Sequence, residues 1–539
     1  NRGKLRSDGY LTAADGGDSK TIVFGSGDIP VISDQTDLQV YAFAGGEQCV
    51  YALDNIGAKI DYGTNTVSTA RSSTNNVAFK KGSRYYLQNA IEFLDEPGEL
   101  YYSSSEKMLY YKPYDEKNLS DIYVPDLTEA ISVTGKYVPV SNVEIRGIKF
   151  SYFDTSFSGS SRTISAEYAD NIGIYDCQIS NCGGMGIVFG YTDNSVICGN
   201  KIENTGAGAI RLSYSQNSEN KGNNLVCDNY IKNIGLNIAD SSGIVLQSTS
   251  ANTVEHNTVS YVPRAAIGIG GPGSQTWEKL GTEIDGVIIT RDNVKPYLVS
   301  NDNKVRYNDL SHAMLETNDG AVIYTSTAGY DNDISYNYIH DSAAEFSHNF
   351  GGIYLDDDTH RTAVTNNFIT RLRSDGGDMM NILLIKGQNN LFENNIITNC
   401  TVKKGVTRVD SQSGCGPVGN VTFRKNIIYN CGNHMYDFYS IEQTPKNAEN
   451  IKFKECDGNI YYDIKDNYDV LVRESETTVK QLTDLQGWRS TYGWDIGSDF
   501  VKPEFADAYS RDFRLMPDGA AARLGIDGIK LSECGVSDK

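Results

Sequence analysis

Two acidic stretches about thirty residues apart concentrate the chemistry available in this chain. Glu316-Thr317-Asn318-Asp319 leads into the apolar run Gly320-Ala321-Val322-Ile323-Tyr324, and Gly352-Ile353-Tyr354-Leu355 runs out into Asp356-Asp357-Asp358, with Asp341, Glu345 and His348 between them. Glycosidic cleavage needs one protonated carboxyl to assist the leaving oxygen and one ionised carboxylate to act as nucleophile or to activate water. If the two stretches lie side by side, mutual repulsion and partial burial raise one pKa and leave the other low, the division of labour that the reaction requires. Asp319, Asp356 and Asp341 are therefore the candidates for catalysis, and Glu316, Glu345, His348, Asp357, Lys386 and Tyr324 for holding a substrate.

Each candidate also has a plainer reading. Asp319 suits a turn leading into a strand, and Asp341 can fill a repeated Asn slot. The run Asp356 to Asp358 suits a solvated turn, or calcium as the one cofactor the acids would take. Lys386 falls thirty residues after Asp356, where it fits a simple ion pair or a substrate contact, and His312 and His348 fit turns. No CxxC pair or His-rich cluster suggests zinc.

What must position these residues is a repeat. Asn-x-(Ile/Val/Leu) recurs at Asn200, Asn229, Asn257, Asn308, Asn337, Asn367, Asn395 and Asn426, at intervals of 29, 28, 51, 29, 30, 28 and 31 residues. One unit of about 29 residues is a solenoid period. Each unit holds short β-branched and aromatic runs, strand-sized and too short for helices. The pattern predicts an all-β chain, a right-handed parallel β-helix whose equivalent residues stack about 4.8 Å apart. The Asn column should satisfy turn backbone from coil to coil, and a second column two residues after the apolar position (Asn181, Asn204, Asn233, Tyr261, His312, Asp341, Arg371, Asn399, Asn430) should do likewise. Strict register puts Asp319 before its strand and Asp356 after the next, about 20 Å apart. Either the turn folds Asp319 back, or the partner is Asp341 or Glu345.

Three regions follow: residues 1–140, β-rich and sandwich-like; 141–466, the helix with its catalytic face; and 467–539, a cap over the last coil with Trp488 and Trp494 as apolar anchors. Residues 85–95 suggest a short helix ended by Glu96-Pro97-Gly98. A long excursion between Gly270 and Lys304, containing Trp277, has the length of a loop that walls a groove. The net charge of -21 argues against nucleic acid and suits a neutral or weakly charged oligosaccharide or polysaccharide. No run of 18 apolar residues suggests membrane insertion. Cys198 and Cys227, and Cys400 and Cys431, fall one period apart and read as stacked buried thiols. The opening Asn1-Arg2-Gly3-Lys4 fits a mature secreted or cell-surface form, a trimmed chain or a cytoplasmic protein.

At Glu316–Tyr324, Tyr336-Asn337-Tyr338-Ile339-His340-Asp341 and Gly352–Asp357 the chain resembles right-handed β-helix glycoside hydrolases, especially families 120 and 141. Arg84 to Ala90, Leu94 to Tyr101 and Asp512-Phe513-Arg514-Leu515 extend the resemblance over most of the chain. It implies an outer β-sandwich beside the helix and paired acids acting on plant-wall glycans, as β-xylosidase, xylanase or α-L-fucosidase, with the acidic roles on Asp319 and on Asp356 or Asp341. Two alternatives stand beside it. A polysaccharide lyase on the same fold would want Lys or Arg to neutralise a uronate, and a non-catalytic surface adhesin would spread its polar and aromatic residues over many coils.

Overall fold

Short β-branched runs separated by left-handed corners wind the chain into a parallel β-helix, as the repeat predicts. The structure, a computed structural model, describes residues 9–46, 51–115, 119, 122–155, 161–214, 222–271, 281–284, 286–290, 293–344, 350–374, 381–401, 405–410, 418–432, 434–439, 453–466, 468–473, 479–507 and 512–536. Two compact units emerge: residues 1–126 with 237–240 and 316–319, and the remainder. The helix belongs to the second unit. Its parallel pairing already includes Ile131–Thr134 against Ile164 to Glu167, so coil structure begins before residue 141.

Each coil contributes three strands, exemplified by Gly320–Ser326, Asp333–Ser335 and Tyr338–His340, which lie on a first, second and third sheet. The first two sheets are joined because Arg162–Tyr175 runs from one into the other, pairing with Met185–Asp193 and then with Val196–Cys198. Inward residues such as Ile323, Ile334 and Ile339 are fully buried and stack on their equivalents in the next coil, Ile353, Val364 and Ile369.

The Asn column lies at the corner between the second and third sheets. From Asn200 to Asn459 each side-chain amide donates to the carboxamide oxygen of the next Asn at 2.9–3.2 Å. The same oxygen also accepts the backbone N–H of the preceding Asn, as Asn337 Oδ1 does from Asn308 at 3.2 Å. A turn that would bury unpaired backbone is thereby satisfied by the coil beside it. The ladder ends on Asp495, whose Oδ1 accepts from Asn459 Nδ2 at 3.0 Å. The second predicted column is the left-handed corner that leaves the third sheet: all nine residues from Asn181 to Asn430 have φ between 48° and 58°. A further Asn ladder, Asn224 to Asn252 to Asn303 to Asn332, crosses the corner between the first and second sheets.

The first unit is a six-stranded antiparallel sheet folded over on itself. Tyr51–Asp61 pairs with Gln39–Ala44 over its first part and with Thr66–Thr69 over its second, so Val40 and Leu87 share one core with Ile22 and Val67. The short helix expected over residues 85–95 is not formed. Arg84–Gln88 is a buried central strand and only Ile91–Phe93 makes a 3-10 turn, because two-sided burial of Tyr85 to Gln88 selects extended backbone.

Beyond the last coil Trp488 is fully buried against Tyr436 and Phe438, and Trp494 packs beside it. The chain then does more than cap. Asp499–Phe500 adds a strand to the third sheet, and residues that follow lay Phe513, Ala520, Ala521, Ile526 and Ile529 over the outward side chains Phe368, Ile396, Ile427 and Ile460. Of the excursion after Gly270, Glu283–Ile284 and Val287–Ile288 form a small hairpin, and Ile284, Ile289, Val294 and Leu298 make a local cluster with Tyr330. Trp277 lies outside the described residues. Cys198 and Cys227 are joined as a disulfide rather than stacked as thiols, since facing positions on neighbouring strands stand 4.6 Å apart at Cα. Cys400 and Cys431 are buried free thiols, and burial pushes Cys431 well up.

Candidate active site

Alternation on the first sheet sets the site. Ile323, Ile353 and Leu383 point into the core, so their register neighbours Tyr324, Tyr354 and Leu384 face outward on three successive coils. Two residues further along each strand the outward positions are Ser326, Asp356 and Lys386. Asp356 and Lys386 therefore stand side by side, with Nζ 2.7 Å from Oδ1. The Tyr324 hydroxyl donates to the other oxygen, Oδ2, at 2.7 Å. The backbone fixes this arrangement: Asp356 N–H donates to Thr325 O at 2.9 Å, and Lys386 N–H to Leu355 O at 2.7 Å. The two side chains are 9% and 13% exposed, so this pair operates largely out of water. Burial by itself would raise the Asp356 pKa, but the Lys386 ammonium and the Tyr324 hydroxyl outweigh it and hold the carboxyl below its ordinary value. Lys386 also lies 3.5 Å from Asp357 Oδ1 and 5.3 Å from the Tyr354 ring centre, and the Tyr324 and Tyr354 rings meet edge to face at 5.2 Å.

The neighbouring acids divide. Asp357 is partly exposed, while Asp358 is buried in a left-handed turn with His360 Nε2 3.8 Å from its carboxylate. With Asp356 and Asp357 both facing Lys386, the ammonium occupies the place a cation would take.

Asp319 immediately precedes its strand, with φ 57° and its N–H on Asn318 Oδ1 at 2.8 Å. Gly320 pairs with Phe350 and Thr325 with Leu355, so strand register does not bring Asp319 and Asp356 together. Glu316 is held within the first unit: its carboxylate accepts from Tyr10 at 3.1 Å, its carbonyl accepts from Arg84 at 2.7 Å, and Arg84 Nη1 lies 3.5 Å from its carboxylate. That is an anchoring role. Glu345 and His348 lie outside the described residues.

Asp341 stands apart from Asp356, on the corner that leaves the third sheet. Arg371 donates to both of its oxygens at 2.6 Å and His340 Nδ1 lies 2.7 Å away, while His340 Nε2 contacts Asp309 at 2.7 Å and stacks on Tyr338 at 4.0 Å. The Arg371 guanidinium first, and His340 after it, hold the Asp341 carboxyl well below the usual carboxylate range. This network borders a cleft of about 440 Å³ lined by His312, Leu315, Ser342, Arg371 and Arg373. An acid so firmly ionised is unsuited to donating a proton.

The next two coils carry charges that the repeat conceals. Arg408 and Asp437 continue the column of Tyr354 and Leu384, Asp410 follows Lys386, and all three are buried, with Arg408 Nη2 on Asp410 at 2.8 Å. Asn381 pairs with Gly405 only 24 residues on, a short coil that hides these positions from a 29-residue period. The alternation Thr407-Arg408-Val409-Asp410 is the signal that would have found them.

The family model for the right handed beta helix region matches residues 128–282. Among solved structures, a "Glycoside hydrolase" shares 14% identity over 72% of this chain and 75% of that one, with a TM-score of 0.51. A periplasmic alginate epimerase shares 12% identity over 62% and 72%, with a TM-score of 0.39, and XylC in complex with xylose 11% over 88% and 78%, with a TM-score of 0.32. No curated protein matches. At 14% identity the first of these likenesses establishes the fold alone.

Proposed function

We propose that this chain is a glycoside hydrolase, with Asp356 as the ionised carboxylate of its acid pair. The observation carrying this reading is the buried Asp356, held charged by Lys386 and oriented by the Tyr324 hydroxyl on an outward face. Such a group serves as nucleophile or as base toward water, and a depressed pKa keeps it unprotonated in weak acid. The general acid is then sought at Asp357, which shares the face of Asp356. The resemblance to β-helix hydrolases points to xylosidic, fucosidic or related linkages in plant-type or host glycans. A lyase would need a cation free to neutralise a uronate, whereas Lys386 is already shared by Asp356 and Asp357.

Parallel assays on aryl β-xyloside, α-L-fucoside, α-galactoside and α-L-arabinoside test the reading. Turnover of one of them should fall by about a thousandfold or more in Asp356→Asn, since the chemical step loses its charged group. Azide should restore part of it if Asp356 is the nucleophile. The acid variant, Asp357→Asn, should keep turnover on a dinitrophenyl glycoside and lose it on poorer leaving groups. The acid limb of the rate profile should lie below about pH 4, under the ordinary Asp pKa. An Asp356→Asn variant that folds and turns over normally would sink the proposal, and an unsaturated product absorbing in the ultraviolet would replace it with a lyase.

A further inference from the structure

The outward column that carries Tyr324 and Tyr354 is interrupted. Going back coil by coil from Tyr324 it reads Gly268, Val245 and Arg211. Ile267 and Ile269 fill the core, so both outward positions of their strand, Gly268 and Gly270, are glycine. The coil therefore presents a trough one strand wide, walled by Val245 and Gln247 on one side and by Tyr324 and Ser326 on the other. Backbone conformation does not demand glycine at 268, whose φ is ordinary, and a Cβ there would meet nothing nearer than Tyr324 O at 3.9 Å. The walls and the glycine are partly exposed.

Arg211 stands two coils behind Gly268. Its guanidinium donates to the neutral Gln247 carboxamide, and among the described residues no carboxylate pairs with it. Other guanidinium groups of the helix behave differently: Arg162, Arg306, Arg371, Arg408 and Arg424 each have an acid within 3.4 Å. Burial lowers the Arg211 pKa with no neighbouring charge opposing it. In a chain of net charge -21, a part-buried cation without an acid carries a desolvation cost that a bound anion would offset.

We propose that the trough over Gly268 and Gly270 binds an anionic sugar unit whose carboxylate or sulfate is read by Arg211 and Gln247, with the sugar ring lying between Val245 and Tyr324. The subsite rests on the carbohydrate reading above and deepens it, for Tyr324 is the residue that bonds Asp356. Arg211 lies three coils, about 14 Å, from Tyr324 at the inter-strand spacing. The anion is thus read on a neighbouring unit of the glycan and not at the bond to be cut.

Calorimetric titration of the whole chain with matched pairs tests this. The probes are oligogalacturonate, oligomannuronate and glucuronic-acid-bearing xylo-oligosaccharide, each beside its methyl ester, and sulfated galactan and fucan oligosaccharides beside their desulfated forms. At least one anionic probe should bind about tenfold or more tightly than its neutral twin, the uronate and sulfate arms identifying which anion is read. Arg211→Gln should abolish the preference, and so should Gly268→Val, which fills the trough and leaves Arg211 in place, each with an unchanged melting temperature. Equal binding within every pair, or a preference that survives both variants, would overturn the subsite. If the preference holds while no aryl glycoside is cleaved, hydrolysis falls and the subsite stands; cleavage without preference removes the subsite alone.

Discussion

Lys386 and Asp356 show how a single residue can decide both charge state and stability at this face. Removing one partner of a buried pair leaves the other uncompensated, at a cost of about 3–5 kcal/mol, so Lys386→Met should be strongly destabilised and Asp356→Asn/Lys386→Met less so than the sum of the single changes. The pH dependence separates this from lost packing. In the native chain Asp356 has a folded pKa below its unfolded value near 3.9, so its stabilisation is complete above about pH 4 and is lost as pH falls through the folded value. Without Lys386, burial dominates and the folded pKa moves above the unfolded one, which makes the charged carboxyl destabilising at neutral pH. The deficit of Lys386→Met should therefore shrink on acidification from about pH 7 to 4. Urea midpoints across that range measure it, and a deficit independent of pH would show that the ion pair does not set the Asp356 charge.

At the level of the strand and its corners, two kinds of Asn look alike in the sequence and differ in what holds them. Asn337 is fully buried, and its oxygen accepts from both the amide and the N–H of Asn308. Asn337→Ala orphans those donors and should cost on the order of 3 kcal/mol or more, at about 1–3 kcal/mol for each unsatisfied group. Asn204 sits at the left-handed corner, so Asn204→Ala should cost about 1–2 kcal/mol and Asn204→Gly very little. Denaturant midpoints at constant slope distinguish the two; equal losses at both positions would show that the corner conformation, and not the buried bonds, governs stability. These columns were legible because each demands one residue type at one spacing. The ladder from Asn224 to Asn332 was not, since it holds only four Asn and the same corner carries Ser195 one coil before it and Thr362 one coil after. Arg408 and Asp410 were hidden by a coil five residues short of the usual period. The Asp341 slot was correctly legible as a corner, but its Arg371 and His340 partners come from side-chain packing that no repeat records.

Whole-molecule quantities mislead when they stand in for local ones. A net charge of -21 suggests a neutral glycan, yet among the described residues Arg211 is a cation without an acid, near the candidate site. A cap inferred from two tryptophans is incomplete for the same reason, because the covering of the third sheet is a property of distant segments meeting. Its trace is nevertheless in the repeat. The middle residue of Asn-x-apolar is Lys201, Tyr230, Thr258 and Asp309 in the early coils, and Phe368, Ile396, Ile427 and Ile460 in the late ones. Outward apolar residues appear where Phe513, Ala520, Ala521, Ile526 and Ile529 lie over them, while Gly535 N–H reaches Tyr307 O at 2.8 Å several coils earlier. Burying four such side chains is worth on the order of 6–12 kcal/mol as an upper figure. A chain ending at Val501 should then expose this stripe, bind a hydrophobic dye, self-associate in sedimentation and melt at a lower temperature. Replacing Phe368, Ile396, Ile427 and Ile460 with Thr in the shortened chain should restore a monomer, because the early coils show that the third sheet tolerates polar residues there. A shortened chain that stays monomeric, dye-free and equally stable would mean that the late-coil apolar stripe serves another covering, and the assignment of residues 512–536 as its partner would fail.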